Sequence, residues 1–91
     1  MDQLNYHHLR YFREVATEGN LSKAAQRLNV SQSALSMQIR NLEERLGHAL
    51  FERVGRKLVL TEVGHIALDH AERIFSAGEE LLATLNQDRT S

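Results

Sequence analysis

A mainly α-helical fold carrying one β-hairpin is predicted by three features of the sequence. Before residue 47, apolar residues recur at helical spacing in three segments, with Gly or Asn at each gap between them. Residues 50–60, LFERVGRKLVL, break that pattern with two short extended runs around Gly55-Arg56. From residue 62 a helical stripe resumes and runs nearly to the end of the chain.

The first helix is expected over about 6–18, capped by Asn5, with Leu9, Phe12, Val15 and Ala16 facing inward. Gly19 can end it in the left-handed conformation, and Asn20 can cap a second helix over about 21–28. That short helix turns Leu21, Ala24, Ala25 and Leu28 inward. "NVS" then makes a tight turn, in which Asn29 tolerates a left-handed backbone. Ser31 caps a third helix over about 32–46, whose core stripe is Leu35, Ile39, Leu42 and Leu46, and Gly47 stops it. Phe51, Leu58, Val59 and Leu60 favour strands, and Gly55 suits the turn between them. Thr61 caps a last helix over about 62–86, roughly 37 Å long at 1.5 Å per residue.

Two helices joined by a tight turn form a helix-turn-helix, and a hairpin directly after the second is the wing of a winged helix. The expected architecture is therefore three helices and a two-stranded wing over 1–60, followed by a linker helix over 61–91.

The third helix carries an unusual outward face. With Leu35 at zero, Ile39, Leu42 and Leu46 fall within about 40° of it on a helical wheel. Ser33, Ser36, Met37 and Arg40 fall between about 100° and 200°, on the opposite side, and Gln32 flanks them in the first turn. A face turned only to water usually carries Glu and Lys. These side chains suit a DNA groove instead. Gln pairs bidentately with adenine, Ser donates or accepts, Arg reaches guanine or phosphate, and Met lies against a thymine methyl. The free N–H groups at the helix start favour a phosphate. Singly, each residue also fits a plain cap or a solvated surface. Together, on the second helix of a helix-turn-helix, they point to a major-groove reader. Arg53, Arg56 and Lys57 cluster in the wing, spanning about 52–58, where they can reach the DNA backbone or minor groove.

Charge supports this division. The net charge of −1 conceals an asymmetry: residues 1–60 hold nine basic and six acidic residues, whereas 61–91 hold two basic and six acidic. A mildly basic body hints at an anionic partner.

On the last helix, Ala67, Ala71, Ile74, Gly78, Leu81 and Leu85 step by four and three, a heptad seam, with Leu68, Phe75 and Leu82 alongside. The stripe is too long for so small a body to cover: its N-terminal half is expected to pack on the first helix, whereas Leu81, Leu82 and Leu85 are harder to place that way. A homodimer through Ala67, Ala71, Ile74, Phe75, Gly78, Leu81, Leu82 and Leu85 is expected, and its two-fold axis would present two recognition helices to an interrupted inverted repeat in double-stranded DNA.

Other classes are disfavoured. There is no cysteine, hence no disulfide and no thiolate metal site. The five histidines lack ligand or triad spacing, and His65 and His70 stand about 140° apart on a helix, so they do not converge on a metal. No Gly-rich phosphate loop is present. Neither an enzyme nor a cofactor is expected. No segment approaches the roughly 20 apolar residues of a membrane span, and the N-terminus lacks a signal-peptide pattern. A cytoplasmic location follows as an expectation.

The combination AAQRLNVSQSALS, LE, LG, LF, GRKLVLTEVG closely resembles the N-terminal DNA-binding domain of LysR-type transcriptional regulators, over nearly the whole chain. The resemblance implies a winged helix-turn-helix whose linker helix dimerises. It also implies a larger domain that senses a small-molecule effector, absent from this sequence, so that the chain looks like an excised DNA-binding half. By resemblance, Ser31, Gln32, Ser33, Ser36, Met37 and Arg40 touch DNA from the recognition helix. Ser22 and Lys23 lie near phosphates, and Arg53 and Arg56 match the wing. Two positions depart from the family pattern: Ser33 is often Pro, and Met37 is often Arg. The second change removes a cation, so an apolar base contact is expected at 37. The rival is a winged-helix module used for protein–protein contact, which predicts little DNA affinity and weak salt dependence.

Overall fold

The computed structural model describes residues 4–90. Four helices and one hairpin follow in the order α1 Tyr6–Glu18, α2 Leu21–Leu28, α3 Gln32–Leu46, β1 Phe51–Val54, β2 Lys57–Leu60 and α4 Glu62–Thr90. The local chemistry explains the boundaries. Asn5 Oδ1 accepts from the amides of His7 and His8, and Asn20 Oδ1 accepts from that of Lys23. Ser31 Oγ accepts from Ala34 N. Each of these satisfies amides that a helix start leaves without a partner. At the other ends, Gly19 and Gly47 adopt left-handed backbone at φ 67 and 74. Asn29 does the same at φ 58, the one non-glycine residue to do so among those described.

The three short helices pack around one core. α1 contributes Leu9, Phe12 and Val15, α2 Ala24 and Ala25, and α3 Leu35, Ile39 and Leu42. Leu50, between α3 and the wing, is fully enclosed, and Ala71 and Phe75 of α4 complete the cluster. Arg27 ties α2 to α1 by ion pairs to Glu14 at 2.9 Å and Glu18 at 3.1 Å.

One core assignment is corrected. Leu46 ends α3 on the surface, 38% exposed. Gly47 turns the chain immediately after it, and the buried place at that end goes to Leu50 instead.

The hairpin is antiparallel, with Phe51 opposite Leu60 and Val54 opposite Lys57. That register leaves a two-residue turn, Gly55-Arg56. Gly55 has φ 66 at the first central position, where a type II′ hairpin takes a glycine. Phe51 closes the wing onto the body, its ring 5.4 Å from that of Phe12.

α4 leaves the hairpin through Thr61, whose Oγ1 accepts from Gly64 N and donates to the carbonyl of Ala49. It runs past α1, where Tyr6 meets the Phe75 ring edge-on at 4.8 Å. Arg13 stacks over the other side of that contact, 4.6 Å from the Phe75 centroid and 3.8 Å from Glu72. No helix among the described residues is long and apolar enough to cross a membrane.

Candidate nucleic-acid interface

The N-termini of α2 and α3 and the wing converge on one side of the body. Two adjoining grooves result. The first is lined by Ser22 and Gln32 from the two helix starts and by Arg53 and Arg56 from the wing, over a floor that includes Leu21 and Leu58. The second lies along α3, where Ser36 and Arg40 face Arg53, with Glu43 at its end. Arg53 borders both. It stands opposite Leu58 in the hairpin, on the same face as Phe51 and Leu60, which pack toward the core. The alternation of a strand thus aims its guanidinium back across α3 rather than away from it.

The electrostatics favour an anion. Both helix starts present amide-rich, positively polarised ends. Neither α2 nor α3 has an acidic residue in its first turn. Lys23, Arg40, Arg53, Arg56 and Lys57 are all exposed. Arg13, Arg27 and Arg73 pair with acidic groups away from these grooves. The interface therefore keeps its positive charge for an external partner.

The structure treats the expected DNA-contacting residues in three ways. Ser22, Gln32, Ser36, Arg40, Arg53 and Arg56 are brought together in the paired grooves. Ser31 and Ser33 mark the start of α3, their hydroxyls 3.3 Å apart, and Ser31 Oγ is already engaged as the helix cap. Met37, Lys23 and Lys57 line neither groove but stand exposed at their rims, Met37 at 61%. Asn20 and Glu43 are groove residues that the sequence pattern did not single out as such. The capping role of Asn20 was visible, whereas Glu43 stood in the sequence only as part of the LE element of the resemblance, with no role attached to it.

The expected dimer seam needs correction in its first half. Ala71 and Phe75 are buried within this chain, because α1 crosses α4 there and Tyr6 and Arg13 clasp the Phe75 ring. Gly78 serves the same contact, since a Cβ on it would lie 3.4 Å from the Tyr6 hydroxyl. Ala67 and Ile74 are half-buried against the core. Beyond Gly78 the stripe is open: Leu81, Leu82 and Leu85 are 58%, 63% and 52% exposed.

Among the described residues, no group of three His, Asp or Glu side chains gathers where it could hold a metal ion.

Known proteins share this arrangement. Residues 6–65 match the family described as bacterial regulatory helix-turn-helix protein, lysR family. A probable RuBisCO transcriptional regulator of Synechocystis sp. is 46% identical over 72 residues, covering 79% of this chain and 21% of the relative. Transcriptional activator protein NhaR of Escherichia coli is 38% identical over 91 residues, covering 100% of this chain and 30% of the relative. The chain thus spans less than a third of the length of these curated relatives. Among solved structures, the BenM DBD/catB site 1 DNA complex superposes with a TM-score of 0.88 at 36% identity, covering 96% of this chain and 97% of that one.

Proposed function

Because the chain belongs to the LysR family of bacterial regulatory helix-turn-helix proteins, we propose that it reads double-stranded DNA as the DNA-binding part of a transcriptional regulator. One observation carries the reading: Ser22, Gln32, Arg53 and Arg56, from three separate elements, line one groove at the start of the recognition helix. In this reading residues 1–60 bind DNA and residues 61–91 join two copies. α3 enters the major groove. Gln32, Ser33, Ser36 and Met37 meet base edges, Arg40 reaches guanine or phosphate, and Ser31 offers its hydroxyl hydrogen to the backbone while still capping the helix. Ser22 and Lys23 hold a phosphate at the start of α2. Arg53, Arg56 and Lys57 follow the backbone into the adjoining minor groove.

Two copies joined along the exposed end of α4, through Leu81, Leu82 and Leu85, would place two recognition helices on successive turns of the duplex. The matching operator is an interrupted inverted repeat. The role assigned is binding, with no residue given a catalytic part, and its place is the cytoplasm.

The test is fluorescence anisotropy with a labelled duplex carrying an A/T-flanked interrupted inverted repeat, against a scrambled duplex, across a salt series. Binding that falls steeply with salt and prefers the repeat is the expected result. No binding to either duplex at low salt would overturn the reading and favour a protein-contact module.

A further inference from the structure

A carboxylate in an anion-binding groove is a liability unless it does something else there. Glu43 lines the groove shared by Ser36, Arg40 and Arg53, and its charge repels any phosphate that enters. Its geometry shows what it does instead. Oε2 accepts from Leu50 N at 2.7 Å and from Phe51 N at 3.4 Å. Its backbone carbonyl accepts from Gly47 N and His48 N. One residue of the recognition helix therefore gathers the amides of Gly47, His48, Leu50 and Phe51, along the segment leading into the wing.

The far strand holds the same segment from the other side. Thr61 N donates to Leu50 O at 3.0 Å, and Thr61 Oγ1 donates to Ala49 O at 2.7 Å. The Leu50 side chain is fully buried. Thr61 thus fixes the base of the hairpin to itself. The bond that Glu43 accepts from Leu50 N is a polar link from that base to the helix that would read DNA.

We propose that Glu43 is a positioning residue for the DNA contact, holding the wing against the recognition helix through the Leu50 amide so that Arg53 borders both the groove of Gln32 and the groove of Arg40. This rests on the DNA-binding reading above. It has a sign that electrostatics alone would not give. Removing an acid from an anion site strengthens binding if charge is all that matters. Removing a positioning acid weakens it.

Two substitutions separate these effects, since both remove the charge and only one keeps an acceptor. Affinity of the 91-residue chain for the labelled repeat duplex is measured across a salt series for the unmodified protein, Glu43→Ala and Glu43→Gln. Glu43→Ala is expected to bind about tenfold more weakly, with the steepness of log K against log salt reduced by about one to two as the wing cations lose their phosphates. Glu43→Gln, whose side-chain oxygen still accepts from Leu50 N, should recover most of that affinity and steepness. In an Arg53→Ala background, Glu43→Ala should cost far less than it does alone. Glu43→Ala binding as tightly as the unmodified chain, or more tightly, would overturn the proposal and leave the DNA reading standing. An unmodified chain without salt-dependent binding would instead sink the DNA reading itself. Should Glu43→Ala lose its cooperative thermal transition, amide hydrogen exchange on the unmodified chain decides. Protection of the Leu50 amide comparable to that of the α3 core supports the link, and free exchange overturns it.

Discussion

Gln32 and Arg53 line the same groove yet have different work to do. Arg53 offers a charge, and phosphates look alike in every sequence. Arg53→Ala should weaken binding to repeat and scrambled duplexes alike and reduce the salt slope by about one. Gln32 offers a paired donor and acceptor, which only some base edges match. Gln32→Ala should chiefly narrow the gap between the two duplexes, by roughly 1–3 kcal/mol at one base position. Anisotropy titrations of each variant against both duplexes check the pair, and unchanged discrimination in Gln32→Ala would remove that residue from the base-reading set. Gly64 makes a different demand. A Cβ there would sit 2.1 Å from the Leu50 carbonyl oxygen and 2.9 Å from Leu60 Cδ2. Helix propensity alone predicts that Gly64→Ala stabilises by up to about 1 kcal/mol. The packing predicts a loss of about 1–3 kcal/mol instead, because backbone must move. A urea midpoint that falls supports the packing, and one that rises contradicts it. At this scale, the groove positions of Gln32 and Arg53 were legible because side-chain type, with the helical position of Gln32 and the hairpin position of Arg53, suffices to place them. Glu43 was not, because its partners are backbone amides across a turn whose path no periodicity encodes.

The elements owe their sharp limits to single capping residues. Asn5, Asn20 and Ser31 each accept amides that would otherwise lack a partner, and each was visible as the polar residue before an apolar stripe. In the proposed complex Ser31 carries a second load, at the end of the recognition helix that would meet DNA. Ser31→Ala should therefore cost about 0.5–2 kcal/mol of stability through the cap, while Ser31→Asp, which also caps, should restore stability but not affinity. Thermal melts and anisotropy on both variants test this, and a Ser31→Asp variant binding DNA as well as the unmodified chain would argue against a backbone phosphate there. The hairpin was equally legible, since Gly55 supplies the positive φ its turn requires. Two element-level readings failed for one physical reason: a helical stripe records which residues avoid water, not what covers them. Leu46 continues the stripe of α3 but is its last residue, left at the surface where the chain turns away at Gly47. Ala71 and Phe75 continue the seam of α4 but are covered by α1.

Across the whole molecule, extents of 53 × 31 × 21 Å describe a small body with one helix projecting from it. Leu81, Leu82 and Leu85 ride on that projection, each more than half exposed. Leu81→Glu should halve the solution mass by preventing two copies from joining, and sedimentation shows whether it does; an unchanged dimer mass would place the contact elsewhere. That the helix extends beyond its own core was readable from its length, since roughly 37 Å exceeds what a body of this size needs. That the body would claim its N-terminal half was readable too, but the residue at which the contact ends was not, because that depends on the angle at which α1 crosses it. The crossing ends at Gly78, under Tyr6. Past that point the turns of α4 through residue 87 have exposed side chains only, and a lone helical stretch of this length is marginal in water. If two copies join there as proposed, the far end of α4 draws its order from the partner and shares its fate with assembly. Helix content in dilute solution is then expected to depend on protein concentration, the molecule completing its own folding in the act of meeting its twin.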